Sequence, residues 1–202
     1  MARVDRAEES RHMRIGVIAG SSRPGALNPQ VVDWVSAQLS ERGLDHEVVH
    51  FGAFDLPILD EAIPGGAGMY ENEHTKAWAE ALRPFDAYIV VTPEYNHSVP
   101  GPLKNAIDFV GQEFAHKPVG FVSYGADKGV RAVEAWRLVF ANFRAATVRG
   151  IGAFSIFTDF ADGAFAPEQV SADTFGPMIE DLVAWAEGFA VVRQNAEAAV
   201  AS

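Results

Sequence analysis

Short apolar runs rich in β-branched and aromatic residues recur at 15–19, 48–51, 87–91, 119–123 and 153–157, and each is followed by a polar break and a stretch of helical spacing. Continuous apolar runs, rather than alternating ones, are what strands buried on both faces of a parallel sheet look like. The intervening stretches repeat apolar residues on one helical face, as at Val31, Val32, Val35 and Leu39, at Trp78, Leu82 and Phe85, and at Val133, Trp136, Phe140 and Phe143. A last one carries Met178, Ile179, Leu182, Val183, Ala186 and Phe189. Repeated βα units of this kind predict a doubly wound α/β fold with right-handed crossovers and strand order 2-1-3-4-5. Ligands of such sheets sit beyond the carboxyl ends of the strands where the winding reverses, here between the first and third. The turns after Ala19 and Val91 are therefore the ones to inspect.

The 202 residues and 49% hydrophobic content suffice for one compact core. A single domain is expected over 14–193, preceded by a polar leader at 1–13 and followed by an Ala-rich tail at 194–202 that frays. No apolar stretch is long enough to span a bilayer and no secretory pattern opens the chain, so a cytoplasmic location is expected. A formal charge of −11 would repel nucleic-acid phosphates and anionic lipid, so neither is an expected partner. The absence of cysteine excludes disulfides, thiolate nucleophiles and cysteine-ligated metals. His12, His46, His50, His74, His97 and His116 show no ligand spacing, and no metal site is expected.

The turn after the first run reads Gly20-Ser21-Ser22-Arg23-Pro24-Gly25-Ala26-Leu27-Asn28-Pro29 and enters a helix at once. Free amides at a helix start, small hydroxyls and an arginine can satisfy a phosphate dianion, with Ser21, Arg23 and Asn28 as ligands. The same residues also make an ordinary strand-to-helix turn with an N-cap. Neither the dinucleotide glycine fingerprint nor a P-loop is present, which favours a terminal monophosphate. The turn after the third run, from Thr92 to Asp108, is stiffened by Pro93, Pro100 and Pro102. Its Pro93-Glu94-Tyr95-Asn96 segment offers a rigid polar edge to a flat heterocycle, while Pro100-Gly101-Pro102 also simply starts the next helix. Ser123-Tyr124-Gly125 after the fourth run could direct amides to the same ring. The glycine-rich segment 63–70 reads as an idle surface loop or a lid.

Gly20-Ser21-Ser22-Arg23, Asp55-Leu56-Pro57-Ile58-Leu59-Asp60 and Pro93-Glu94-Tyr95-Asn96-His97-Ser98-Val99-Pro100-Gly101 together resemble the NADPH-dependent FMN reductase family, over about 14–157. The resemblance implies a flavodoxin-like three-layer fold with helices on both faces of a five-stranded parallel sheet. It implies FMN as cofactor, with NADPH or NADH as co-substrate. By similarity Ser21, Arg23 and Asn28 would hold the FMN phosphate. Pro93, Glu94, Tyr95 and Asn96 would line the isoalloxazine, and Ser123, Tyr124 and Gly125 would meet its pyrimidine edge. Ala26 stands where many relatives have a serine, which would remove one phosphate hydrogen bond. The family's members are similar in forming homodimers or homotetramers, here through the 104–109 and 133–143 segments.

In such an enzyme the cofactor carries the chemistry and no protein acid or base is required, so no catalytic side chain is assigned. The implied activity is hydride transfer from NAD(P)H through FMN to a small-molecule electron acceptor such as a free flavin, quinone, azo compound or metal oxyanion. The alternatives are a non-enzymatic flavodoxin-type electron shuttle, which the acidic charge suits, and a nucleotide-binding regulatory module on the same fold. The hydroxyl-rich phosphate loop of shuttle flavodoxins is not matched by Ser21-Ser22-Arg23-Pro24.

Overall fold

The computed structural model describes residues 13–201; the leader expected at 1–13 lies outside them apart from Met13. The chain runs β1 (Arg14–Ala19), α1 (Asn28–Glu41), β2 (Asp45–His50), α2 (Glu73–Leu82), β3 (Ala87–Pro93), α3 (Gly101–Asp108), β4 (Pro118–Gly125), α4 (Val130–Ala141) and β5 (Ala146–Ser155). A two-stranded hairpin, β6 (Phe160–Ala161) and β7 (Ala164–Phe165), then leads to α5 (Gln169–Ala172) and α6 (Phe175–Ala201). The five main strands are parallel in the order β2-β1-β3-β4-β5, as the sequence predicts.

Successive residues of each strand go to opposite faces. Ile15, Val17, Ile89, Val91 and Val122 pack with Val31, Val35 and Leu39 of α1 and Met178 and Leu182 of α6. On the other face Ile18, Tyr88, Val90 and Phe121 meet Trp78 of α2, Ile107 of α3 and Trp136 and Phe140 of α4. Three buried aromatic donors are satisfied inside the fold. Trp78 Nε1 donates to the Ala106 carbonyl at 2.8 Å, Trp136 Nε1 to Thr92 Oγ1 at 3.1 Å, and the Tyr88 hydroxyl to the Leu82 carbonyl at 2.7 Å.

Several boundaries differ from expectation. The second strand begins at Asp45, not at 48, and the fifth runs Ala146–Ser155, not 153–157, with Phe157 74% exposed beyond its end. Both are edge strands, where one side meets solvent and the apolar signal thins. α6 is helical as far as Ala201, into the Ala-rich tail, where Ala, Glu and Gln are strong helix formers.

The 63–70 segment is a surface loop pinned to the body of the protein and not a lid over the strand ends. Gly65 is buried so closely on Phe109 and Val110 that a Cβ there would meet their backbone at 2.7–2.8 Å. The Tyr70 hydroxyl donates to Glu113 Oε2 at 2.6 Å and Gln112 Nε2 donates to the Gly66 carbonyl at 2.5 Å. These anchors lie between α3 and β4, at the end of the sheet opposite the turns singled out above.

Candidate functional site

β1 and β3 are neighbours with Ala19 opposite Val91, and β3 and β4 with Pro93 opposite Tyr124. Their following turns therefore emerge side by side. At the first turn the Val91 carbonyl accepts from Gly20 N at 2.9 Å and from Asn28 Nδ2 at 3.0 Å. A Cβ on residue 20 would collide with that carbonyl, so only glycine permits the approach. Asn28 is 1% exposed and holds α1 to β3 from beneath the turn. Above it α1 starts without a side-chain cap. Among the described residues, the Ser22, Gly25 and Leu27 amides donate to no protein acceptor, and the exposed Arg23 guanidinium has no hydrogen-bond or ion-pair partner. Uncommitted amides at a helix N-terminus beside a free arginine fit a phosphate dianion.

The turn after β3 is a tight reversal. Tyr95 and Ser98 exchange both backbone hydrogen bonds at 3.1 Å, and Asn96 and His97 between them sit at φ 49° and 71°. Two consecutive left-handed residues make the mirror-image turn that suits a two-residue hairpin. Asparagine adopts that region readily; histidine does so at some cost. The Ser21 hydroxyl lies 2.7 Å from the Tyr95 phenol and joins this hairpin to the first turn.

Glu94 faces the third turn. Its side chain is 7% exposed, and its carboxylate accepts from Arg131 N at 3.2 Å and from Arg131 Nε at 2.6 Å, with the Arg131 terminal amino group also paired to it. Arg131 reaches Asp127 at 2.7 Å as well. The turn is held internally too, since Ser123 Oγ donates to the Lys128 carbonyl at 2.7 Å and Lys128 N to the Gly125 carbonyl at 3.1 Å. Tyr124 is 5% exposed, and burial raises its phenol above the usual range against a smaller lowering by the Asn28 side chain. It remains protonated at neutral pH.

The ten residues singled out from sequence thus lie on the three turns at one end of the sheet or at their bases, with the side chains of Asn28, Glu94 and Ser123 occupied in holding the turns. Sequence reasoning missed Arg131, the partner of Glu94. It also missed the β6–β7 hairpin, which borders the site. Gln30 Nε2 donates to the Gly163 carbonyl at 3.0 Å and Gln30 Oε1 accepts from Phe165 N at 2.6 Å, while the Phe160 ring lies 6.4 Å from that of Tyr124. The hairpin signal was present as Asp162-Gly163, both at positive φ between Phe160 and Phe165.

A family model described as NADPH-dependent FMN reductase matches residues 13–159, the segment that holds all three turns. The chain belongs to that family. A related NAD(P)H-dependent FMN reductase, ntnL of a Nectria species, is 36% identical over 126 residues, 59% of this chain and 63% of its own length. The match therefore spans less than two thirds of that relative. A quinone reductase of Pseudomonas putida is 36% identical over 130 residues, covering 58% of this chain and 67% of the relative. Among solved structures, the flavoenzyme NAD(P)H:(acceptor) oxidoreductase FerB from Paracoccus denitrificans superposes with a TM-score of 0.64 at 24% identity, over 88% of this chain and 98% of that one, a likeness of fold. The family match ends just before β6, so this member of the FMN reductase family carries its hairpin at the limit of the shared region.

Proposed function

We propose that the chain binds FMN across the β1, β3 and β4 turns and catalyses hydride transfer from NADPH or NADH to a small acceptor, such as a free flavin, quinone, azo compound or metal oxyanion. The observation that carries the reading is the uncommitted donor set of Ser22, Arg23, Gly25 and Leu27, bolted through Ser21 and Tyr95 to a rigid hairpin. A phosphate monoester is the chemistry that such a cradle complements. When bound, FMN would supply the hydride-transfer chemistry between the nicotinamide and the acceptor.

The protein's share is binding and orientation. Ser21, Arg23 and the turn amides hold the phosphate, with Asn28 fixing the turn from below. Pro93, Glu94, Tyr95 and Asn96 form a stiff wall for the ring, and the backbone of Ser123, Tyr124 and Gly125 faces its polar edge. The relatives named FMN reductase and quinone reductase support a small acceptor. We also place the protein in the cytoplasm as a homodimer or homotetramer built on the α3 and α4 faces, where Leu138 is 78% exposed. No helix among the described residues is long and apolar enough to cross a membrane.

Titration with FMN, followed by rapid mixing of the loaded protein with NADPH, tests the reading. Saturable binding and fast bleaching of the flavin band support it; failure to bind FMN rejects it. The charge of −11 favours one competing reading, an electron shuttle that docks basic partners. Potentiometry separates the two, a single two-electron wave for the enzyme and two resolved one-electron waves for the shuttle.

A further inference from the structure

Most basic side chains among the described residues are committed to a carboxylate, a carbonyl or an amide oxygen. Arg14, for example, pairs with Glu47, Lys104 with Asp108 and Arg193 with Asp86. Arg23, Lys128 and Arg149 have no such side-chain partner. Arg149 lies on the edge strand β5. Arg23 and Lys128 lie on the β1 and β4 turns, on either side of the β3 hairpin. In a chain of net charge −11, uncommitted cations thus stand at the one end of the sheet where the turns form the candidate site.

Lys128 is held in place by its own backbone. It sits at φ 59°, its carbonyl accepts from Ser123 Oγ at 2.7 Å, and its amide donates to Gly125. The nearby carboxylates of Glu94 and Asp127 are both taken by Arg131, which leaves the Lys128 ammonium without a partner. β1 and β4 are separated by two strand spacings, about 10 Å, with β3 between them. One terminal phosphate is served at the β1 turn by Arg23 and the amides, so the cation at the β4 turn is available for a second anion. A nicotinamide dinucleotide brings such anions to the same end of the sheet, and a strongly acidic protein opposes its approach unless a local cation offsets the field.

We propose that Lys128 pairs with a phosphate of the nicotinamide dinucleotide and so determines affinity for the co-substrate, an inference that rests on the FMN-dependent reading above. Lys128→Met leaves the backbone constraint unchanged, because methionine is also a non-glycine residue and the Ser123 bond is to the carbonyl. Lys128→Arg retains the charge.

The test uses FMN-loaded protein, with steady-state kinetics for NADPH and NADH, calorimetric titration with 2′,5′-ADP and with ADP, and the FMN dissociation constant. In Lys128→Met the dinucleotide KM should rise on the order of tenfold, the worth of a charge-assisted hydrogen bond. The change should fall on KM rather than kcat, with FMN affinity unaltered and Lys128→Arg close to the parent. A rise for NADPH alone, with weakened 2′,5′-ADP binding, identifies the 2′-phosphate. An equal rise for both dinucleotides, with weakened binding of both ADP forms, identifies the pyrophosphate. Unchanged KM values in a parent that binds FMN and oxidises NAD(P)H overturn the Lys128 proposal alone, as does an effect confined to FMN affinity. A parent that binds no FMN removes the functional reading beneath it.

Discussion

The hydroxyls of Ser21 and Tyr95, 74 positions apart in sequence, lie 2.7 Å apart and join the two turns on which the candidate site is built. Ser21 belongs to a turn that presents amides to an anion, and Tyr95 to a hairpin whose Asn96 and His97 are both left-handed. Fixing one turn to the other sets the separation between a phosphate and a ring without the ligand having to organise it, which lowers the entropic cost of binding.

Tyr95→Phe removes that bond and little else. FMN binding should weaken by about 0.5 to 1.5 kcal/mol, the net worth of a neutral hydrogen bond. Fluorescence titration measures it, and an unaltered dissociation constant would mean that the ligand reorganises the turns by itself.

Arg23→Ala should cost about 1.5 to 3 kcal/mol of FMN affinity, the range for a hydrogen bond to a charged group. Because Arg23 is exposed and has no protein partner, the melting temperature of the ligand-free protein should not move. A shift in melting without a loss of affinity would assign Arg23 to the fold instead.

Glu94→Ala leaves the Arg131 guanidinium with Asp127 alone and frees the Arg131 amide. Stability should fall by about 1 to 3 kcal/mol, less than for a fully buried pair because Arg131 is partly exposed. Urea denaturation of Glu94→Ala, Arg131→Ala and the double variant closes the cycle, and simple additivity would show the contact to be energetically idle.

Gly20→Ala forces a methyl against the Val91 carbonyl, which also receives Asn28. The cost should be about 1 to 3 kcal/mol, as for other overpacked sites. Thermal denaturation tests it, and a melting temperature equal to the parent's would show that the ends of β1 and β3 can separate freely.

Glu61 gives a pH-dependent case. Burial pushes its carboxyl upward, but hydrogen bonds from the Glu71 and Asn72 amides just ahead of α2 outweigh it and hold the group below its ordinary value. A lowered folded value means that the stabilisation is present above the unfolded value, about 4.3, and is lost as pH falls through the folded one. Glu61→Gln should therefore be less stable than the parent at neutral pH, by about 1 kcal/mol as for a lost helix cap. That difference should shrink in acid, and a gap independent of pH between neutrality and pH 3 would contradict the assignment.

The interior strands could be read because burial on both faces leaves an unbroken apolar record. Every residue of β3 is buried, as is all of β4 but its last. The edges could not be read as well: β2 opens on three polar residues, Asp45, His46 and Glu47, before its two valines, and that first half looks like a loop until it pairs with β1. The 63–70 segment was ambiguous for a related reason. Glycine and proline signal a flexible loop, and only the packing of Gly65 on Phe109 reveals a fixed one.

For the site, the residue types and their order along the chain determined the α/β class, the place of the turns and the resemblance carried by Pro93-Glu94-Tyr95-Asn96. Those properties are local, or periodic, and a linear string records them. Which side chains are consumed in holding the turns was decided only in three dimensions. Asn28 is turned inward to Val91, Glu94 to Arg131 and Ser123 to the Lys128 carbonyl, while Arg23 and Lys128 are left unpaired. A polar residue in a sequence can hold up a loop or face a ligand with equal ease, and the choice rests on which donors and acceptors the folded sheet brings within hydrogen-bond distance.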